Sequence, residues 1–245
     1  MAAGWASAVR FWQPTSTLHG AGGLAVAPEY RRQSHARQLM LLLHQRAIAR
    51  RARQMQLEVL TENEAARSLY TNLGYRQIRR LLIWESQERF PPPEQNALAL
   101  SHIDAQQAIQ EAVKWHEQKP AWQRSVNHLG CSLADLQAFI AIDQWGRAAA
   151  IIICHPITAG KDGQPIMRLG DVCVSPVLEA DGVGHALFGA LFTQHPECRF
   201  VLLNEPERSR LNPALEHAGF IVTEQQVEMQ IELASPRPAQ RADQR

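Results

Sequence analysis

Apolar residues along this chain follow two rhythms, and the switches between them mark most of its elements. Alternation in "GWASAVRFW" (4–12) and compact apolar runs in "GGLAVAP" (22–28), "MQLEVLT" (55–61) and "YRQIRRLLIWES" (75–86) predict strands. Between the second and third of these, Leu39, Leu42, Leu43, Arg46, Ile48 and Ala49 lie near helical spacing, with arginines elsewhere. They predict an amphipathic helix of about five or six turns beginning near Arg32. "NEAARSLYTNLG" (63–74) predicts a shorter helix that Gly74 would end, since glycine accepts the left-handed backbone found just past a helix.

Three consecutive prolines in "SQERFPPPEQN" (86–96) forbid both helix and ladder pairing, so a domain boundary is expected there, between domains 1–88 and 95–234. Beyond it, "NALAL" is a possible strand, and Asp104 is placed to cap a helix over 104–118. "PAWQRSVNHLG" (120–130) reads as a second helix, and residues 137–156 as a hairpin turning at 143–146. A strand (165–176), a helix (181–195), a strand (199–206), a helix (209–219) and one or two closing strands (220–233) follow. The tail from Ala234 has no apolar period, and 235–245 is expected to be disordered. The element order of the first part thus returns in the second, as if one α/β unit were used twice and the first copy lacked its front.

Charge and cysteine usage narrow the function classes. The 245 residues carry a formal net charge of only +1, which argues against a dedicated nucleic-acid binder. That class rests on the arginine-rich stretch 31–53 alone, and arginines facing solvent on a helix explain it as well. No run approaches the roughly 18 apolar residues of a membrane helix, and the start is not a signal peptide, so a cytoplasmic protein without a membrane partner is expected. The four cysteines, Cys131, Cys154, Cys173 and Cys198, stand singly, with no C-x-x-C pair and no histidine cluster at zinc spacing. They read as buried reduced thiols, and no metal is expected.

The candidate chemistry lies where the strand at 22–28 meets the long helix. Arg31, Arg32 and Arg37 gather there, beside backbone amides and a helix N-terminus, and such a place suits a phosphate. A solvated, arginine-rich helix start would look the same in sequence.

Two motifs add to this reading. V-x-P-x-x-R-x-x-[G/S]-x-A spans 26–36, and N-x-x-A-x-x-L-Y-x-x-x-G-Y follows at 63–75. Together they resemble the Gcn5-related N-acetyltransferase (GNAT) family over residues 4–85. The resemblance implies a mixed, splayed central sheet flanked by helices, in two tandem copies, and acetyl-CoA as co-substrate. The family's loop, Arg/Gln-x-x-Gly-x-Gly/Ala, reads here Arg31, Arg32, Gln33, Ser34, His35, Ala36, with Ser34 where the family usually has glycine. It implies that a strand containing Leu24 and Val26 pairs with the pantetheine arm and that the backbone amides of 32–37, through Arg37, hold the pyrophosphate. Asn63 would sit near the pantetheine, and Ala66 would pack against it. Tyr70 matches the tyrosine that protonates the departing thiolate, a step that favours loss of a thiol of ordinary pKa about 8.5. As a core aromatic at helical spacing, Tyr70 has a bland reading too. Glu58 is the best-placed candidate base, ahead of Glu62 and Glu64, although a surface carboxylate or a water in its stead fits the sequence equally.

Residues 96–233 resemble the family more faintly. Val174, Ser175 and Pro176 repeat the strand end, and Gly182 and Gly184 the glycines, but Glu179 stands at the position of Arg31, Asp181 precedes the glycines, and Leu215 replaces Tyr70. Carboxylates there would repel a pyrophosphate, so this copy is expected to bind coenzyme A poorly or not at all. The first copy's missing front suggests a late start of the chain, and an open sheet edge at 4–12 would favour a homodimer. The leading reading is transfer of an acetyl group from acetyl-CoA to a primary amine by direct attack in a ternary complex, with the acceptor open. The alternative is a non-catalytic tandem module that binds acyl-CoA or a protein partner.

Overall fold

The computed structural model describes residues 10–12, 18–87 and 98–233. The chain forms two compact units, Met1–Ile78 together with Val227–Arg245, and Arg79–Gln226.

In the first unit, β1 (Arg10–Trp12) pairs antiparallel with β2 (Leu18–Gly22), and β2 runs parallel to β3 (Gln54–Leu60), Leu18 facing Gln54 and Ala21 facing Leu57. The crossover between β2 and β3 carries α1 (His35–Ala49), whose buried residues Met40, Leu43, His44 and Ala47 repeat at the three- and four-residue steps of one helix face. On β3, Met55, Leu57 and Val59 are buried at alternate positions. α2 (Glu64–Asn72) follows, and the chain leaves the unit within β4 (Arg76–Ser86).

The second unit contains β5 (Ala99–Ile103), α3 (Ala105–Trp115), α4 (Val126–Gly130), β6 (Gln137–Ile142), β7 (Ala148–Cys154), β8 (Thr158–Ala159), β9 (Pro165–Val174), α5 (Ala180–Gln194), β10 (Arg199–Pro206) and α6 (Asn212–His217). Its strands lie in the order β4-β10-β9-β7-β6-β5, with β8 on β9 and only β9–β10 parallel. Ile151 and Ile153 of β7 enter a core with Ile109 and Leu129, whereas Ile152 enters another with Phe188, Leu191 and Phe200. Covered on both faces, β7 reads in sequence as the unbroken run "AAAIIIC".

The last strand, β11 (Phe220–Glu232), carries the chain back into the first unit from Val227 onward. Val227, Met229 and Leu233 join the core of Met40, Leu43, Met55, Leu57 and Tyr75. Beside β3, Leu233 N donates to Arg53 O at 2.7 Å and Gln56 Nε2 to Gln230 Oε1 at 2.9 Å. The compact units therefore divide the chain elsewhere than at the expected boundary, because an edge of β3 takes a strand from the far end of the chain.

Other differences are local. The strand expected at 22–28 ends at Gly22: Gly23 turns with φ 73°, and residues 23–27 have no regular structure. The long helix starts at His35 rather than Arg32, because Arg32 and Ser34 hold left-handed backbone with φ 64° and 63°. Its buried stripe is also shifted from the expected one, leaving Leu42 exposed. "PAWQRSVNHLG" is a 3-10 turn (Trp122–Arg124) followed by the short α4. Cys154 and Cys173 are buried as expected, but Cys131 is exposed and Cys198 half-buried. The expectations for 4–9, for 88–97 and for the tail from Ala234 lie outside the described residues.

Candidate active site

The segment where the sequence leads one to expect an anion site forms a tight double turn. Pro28 opens a 3-10 turn, Pro28–Tyr30, closed by Tyr30 N to Ala27 O (2.9 Å) and Arg31 N to Pro28 O (3.2 Å). Arg31 Nε then donates back to Val26 O at 3.2 Å, and Gln33 Nε2 to Glu29 O at 3.2 Å. Left-handed backbone at Arg32 and Ser34 reverses the chain into α1. Ser34 makes no side-chain cap; its carbonyl accepts from Gln38 N at 3.0 Å. The amides of Ala36 and Arg37 accordingly have no acceptor within the helix, and they sit at its positive end.

Arg31, Arg32, Gln33, Ser34 and Arg37 are exposed, and His35 and Ala36 are half-buried. His35 Nε2 lies 3.3 Å from Gln33 Oε1, with its ring edge-on to Tyr30. Leu24 packs on the core of the unit, and Val26 is half-buried. Three guanidinium groups around a helix N-terminus can hold a phosphate through charge and through fixed N–H groups.

The residues expected along the second motif take distinct places. Asn63 caps α2, its side chain accepting from Ala66 N at 3.1 Å, and Gly74 ends the helix with φ 95°. Ala66 is half-buried against the core. Tyr70 is buried at 8% exposure, edge-on to Tyr75 with ring centroids 5.8 Å apart. Tyr75 in turn has its hydroxyl 3.0 Å from His44 Nε2. Burial raises the Tyr70 phenol, keeping it protonated as a proton donor must be, and burial followed by the neighbouring Tyr70 raises Tyr75 further. The same burial lowers the His44 pKa. Glu58 is half-buried on β3.

The matching place in the second unit is arranged differently. The parallel ladder of β9 and β10 is registered from Ile166 with Arg199 to Leu169 with Leu202. Past it, Arg124 bridges the two strands: Nη2 and Nε donate to Asp171 Oδ1 at 2.6 and 3.1 Å, and Nη1 donates to Glu205 Oε2. His116 Nε2 is 2.7 Å from Asp171 Oδ2, and Val172 N donates to Asp171 Oδ1 at 3.0 Å. Burial alone would raise the Asp171 carboxyl, but the charges and hydrogen bonds of His116 and Arg124 outweigh it and hold the pKa at about 2. Burial alone would lower His116, and Asp171 raises it instead. A cavity of about 50 Å³ borders the cluster, lined among others by Val174, Ala180 and Arg210.

At the start of α5, Glu179 is the cap: its carboxylate accepts from Asp181 N at 2.8 Å and from Gly182 N at 2.7 Å. These are the amides that an anion would need. Gly182 and Gly184 lie within the first turns of the helix, not in a loop, and a Cβ on Gly184 would stand 2.5 Å from Ala214 Cβ of α6. Gly184 thus serves close helix packing. Sequence reading found Glu179 by its charge but missed the Arg124 cluster, whose members are scattered from residue 116 to residue 205.

Residues 2–75 match the model of the Acetyltransferase (GNAT) family. No curated protein is significantly similar in sequence. Solved structures agree with the family match. A GCN5-related N-acetyltransferase from Sphaerobacter thermophilus superposes with a TM-score of 0.67 at 17% identity, over 93% of this chain and 76% of that one. The chain has the GNAT fold. A tandem GNAT protein from the clavulanic acid biosynthesis pathway gives 0.63 at 14% identity, covering 94% and 80%. A GCN5-related N-acetyltransferase from Anabaena variabilis gives 0.55 at 15%, covering 94% of this chain but 59% of that one. A GNAT fold with a family-matched first part supports acyl transfer as the general chemistry, with an acyl-CoA donor. Among the described residues, no helix is long and apolar enough to cross a membrane.

Proposed function

We propose that the first unit transfers an acetyl group from acetyl-CoA to a primary amine, by direct attack within a ternary complex. One observation carries the reading: the family-matched segment presents three exposed arginines around the left-handed double turn that opens α1. In this reading the amides of residues 32–37 hold the pyrophosphate. The backbone of Leu24 and Val26 holds the pantetheine arm, and the Val26 N–H polarises the thioester carbonyl. Asn63 fixes the start of α2, so that Ala66 borders the arm and Tyr70 delivers a proton to the leaving thiolate. Glu58, or a water in its place, takes the proton from the amine. Holding amine and thioester together supplies much of the rate.

The second unit is then a degenerate copy of the first. Its own Glu179 carboxylate occupies the amides that a pyrophosphate would use, and Arg124 closes the gap between β9 and β10. Four cysteines free of disulfides suit a cytoplasmic setting. Among the described residues β1 ends the strand order, and such an edge suits pairing with a second copy.

Titration calorimetry of the full chain with acetyl-CoA tests the site. Micromolar binding that is lost in Arg31→Ala/Arg32→Ala is the expected result; equal binding in both chains removes the loop from the site. One observation favours the non-catalytic alternative: Tyr70 is packed in the core against Tyr75. Tyr70→Phe separates the two readings. An acid role predicts that turnover falls about 10²-fold or more with acetyl-CoA binding kept, whereas a purely structural tyrosine leaves turnover unchanged.

A further inference from the structure

The turn from α5 into β10 carries His195, Pro196, Glu197 and Cys198, none of which takes part in the acetyl-CoA reading. His195 N donates to Leu191 O at 3.0 Å and Cys198 N donates to His195 O at 3.1 Å, so the chain doubles back within this turn. The fold gathers three different donor types there. One ligand atom each from His195, Glu197 and Cys198 lies within 4.8 Å of the other two. Cys198 Sγ is 3.5 Å from Glu197 Oε1. His195 and Cys198 are half-buried and border a cavity of about 120 Å³ shared with Ser86, Gln87, Phe192 and Phe200, while Glu197 faces solvent.

From this geometry we infer that the α5–β10 turn is a binding site for a single divalent cation of the zinc class. The donor set decides the class. Imidazole and thiolate are ligands of zinc and its borderline-soft neighbours, whereas calcium and magnesium take oxygen donors. Three protein donors leave the fourth tetrahedral position to water. The apolar Phe192 and Phe200 line the same cavity and carry no competing ligand.

Binding has a defined proton balance. In the metal-free chain the Cys198 thiol lies against the Glu197 carboxylate, Sγ 3.5 Å from Oε1. When the cation binds, the S–H bond breaks, the proton goes to solvent, and sulfur bonds to the metal as thiolate. The carboxylate that opposed the thiolate then becomes a fellow ligand. One proton is released per cation, and affinity rises with pH. The site is independent of acetyl transfer; its role is to clip α5 to β10.

Cobalt(II) titration of the full, reduced chain is the test, because a thiolate ligand gives a charge-transfer band and tetrahedral geometry gives intense visible bands. The expected result is saturation at one equivalent, displacement by zinc, and a zinc-dependent rise in melting temperature. Cys198→Ser is expected to lose the charge-transfer band, and His195→Gln, which leaves the half-buried sulfur in place, to weaken binding at least about tenfold. Cys131→Ser, which changes an exposed thiol elsewhere, leaves the titration unchanged. Absence of a thiolate band in the unaltered chain, or a band that survives Cys198→Ser, overturns the proposal. So does binding to His195→Gln as tight as to the unaltered chain.

Discussion

Ser34 carries the local tension of the turn that opens α1. Its φ of 63° is a conformation that costs an L-residue about 1–2 kcal/mol and costs glycine little. The turn thus holds at Ser34 a conformation that glycine would adopt at less cost. Ser34→Gly is expected to stabilise the chain by up to about 1 kcal/mol, part of the relief being offset by greater freedom in the unfolded chain. If the proposed site is right, it should also tighten acetyl-CoA binding by removing a Cβ from the loop assigned to the pyrophosphate. Thermal denaturation and calorimetry read the two effects. A lower melting temperature would mean that the serine side chain makes a contact worth more than the strain. Two other single residues show how the same capping role can differ in its electrostatic effect. Asn63 and Glu179 both cap helices, but Asn63 takes one amide at α2, whereas Glu179 places a negative charge on the amides of α5.

At the scale of elements, the pair α5 and α6 depends on the absence of a side chain at Gly184. The 2.5 Å separation between a built Cβ there and Ala214 Cβ is less than side-chain carbons tolerate, and the neighbour is a short, rigid alanine. Gly184→Val is therefore expected to destabilise the second unit by about 1–3 kcal/mol through overpacking, visible in chemical denaturation. A neutral outcome would mean that α5 can slide on α6. The two strands β9 and β10 depend instead on charge. Arg124, Asp171 and Glu205 are each at least 95% buried in their side chains, and Arg124 is the cation between the two carboxylates. Arg124→Met would leave the buried Glu205 carboxylate uncompensated and Asp171 with His116 as its one remaining charged partner among the described residues, and cost about 3–5 kcal/mol. Addition of Asp171→Asn and Glu205→Gln to that variant should restore much of the loss. No recovery in the triple variant would place the effect in packing rather than charge.

At the scale of the whole molecule, the first unit cannot be cut out as a continuous N-terminal piece. Val227, Met229 and Leu233 lie in its core, each no more than 8% exposed. A chain ending at Gln226 is expected to lose the first unit's cooperative unfolding together with the acetyl-CoA binding proposed for it. Amide hydrogen exchange over residues 35–75 would follow the loss directly. Retained protection there would show that residues 1–78 hold their core without the last strand. The same topology bears on any test of the second half in isolation, since a fragment of residues 95–235 would carry strand residues that belong to the other core.

Much of this was legible from residue types alone, wherever neighbouring residues decide the outcome. Asp104 caps its helix as its side chain suggests, Gly74 ends α2 in left-handed backbone, and Asp143 holds the β6–β7 turn by accepting from Trp145 N and Arg147 N, both at 2.9 Å. The two motifs marked the segment that the family model matches. Partners remote in sequence were not legible. Nothing near residue 227 says that β11 serves the core around Met40, and nothing near Arg124 points to carboxylates at 171 and 205. Periodicity gives a strand its two faces but not its neighbour, and a charged residue declares its sign but not its partner. The sequence by itself therefore determined most of the elements, the Asp104 cap and the arginine-rich approach to α1. Only the tertiary structure decided which strand completes the first sheet, that Glu179 fills its own helix end, and that His195, Glu197 and Cys198 meet, because those outcomes rest on contacts that the chain makes only after it has folded.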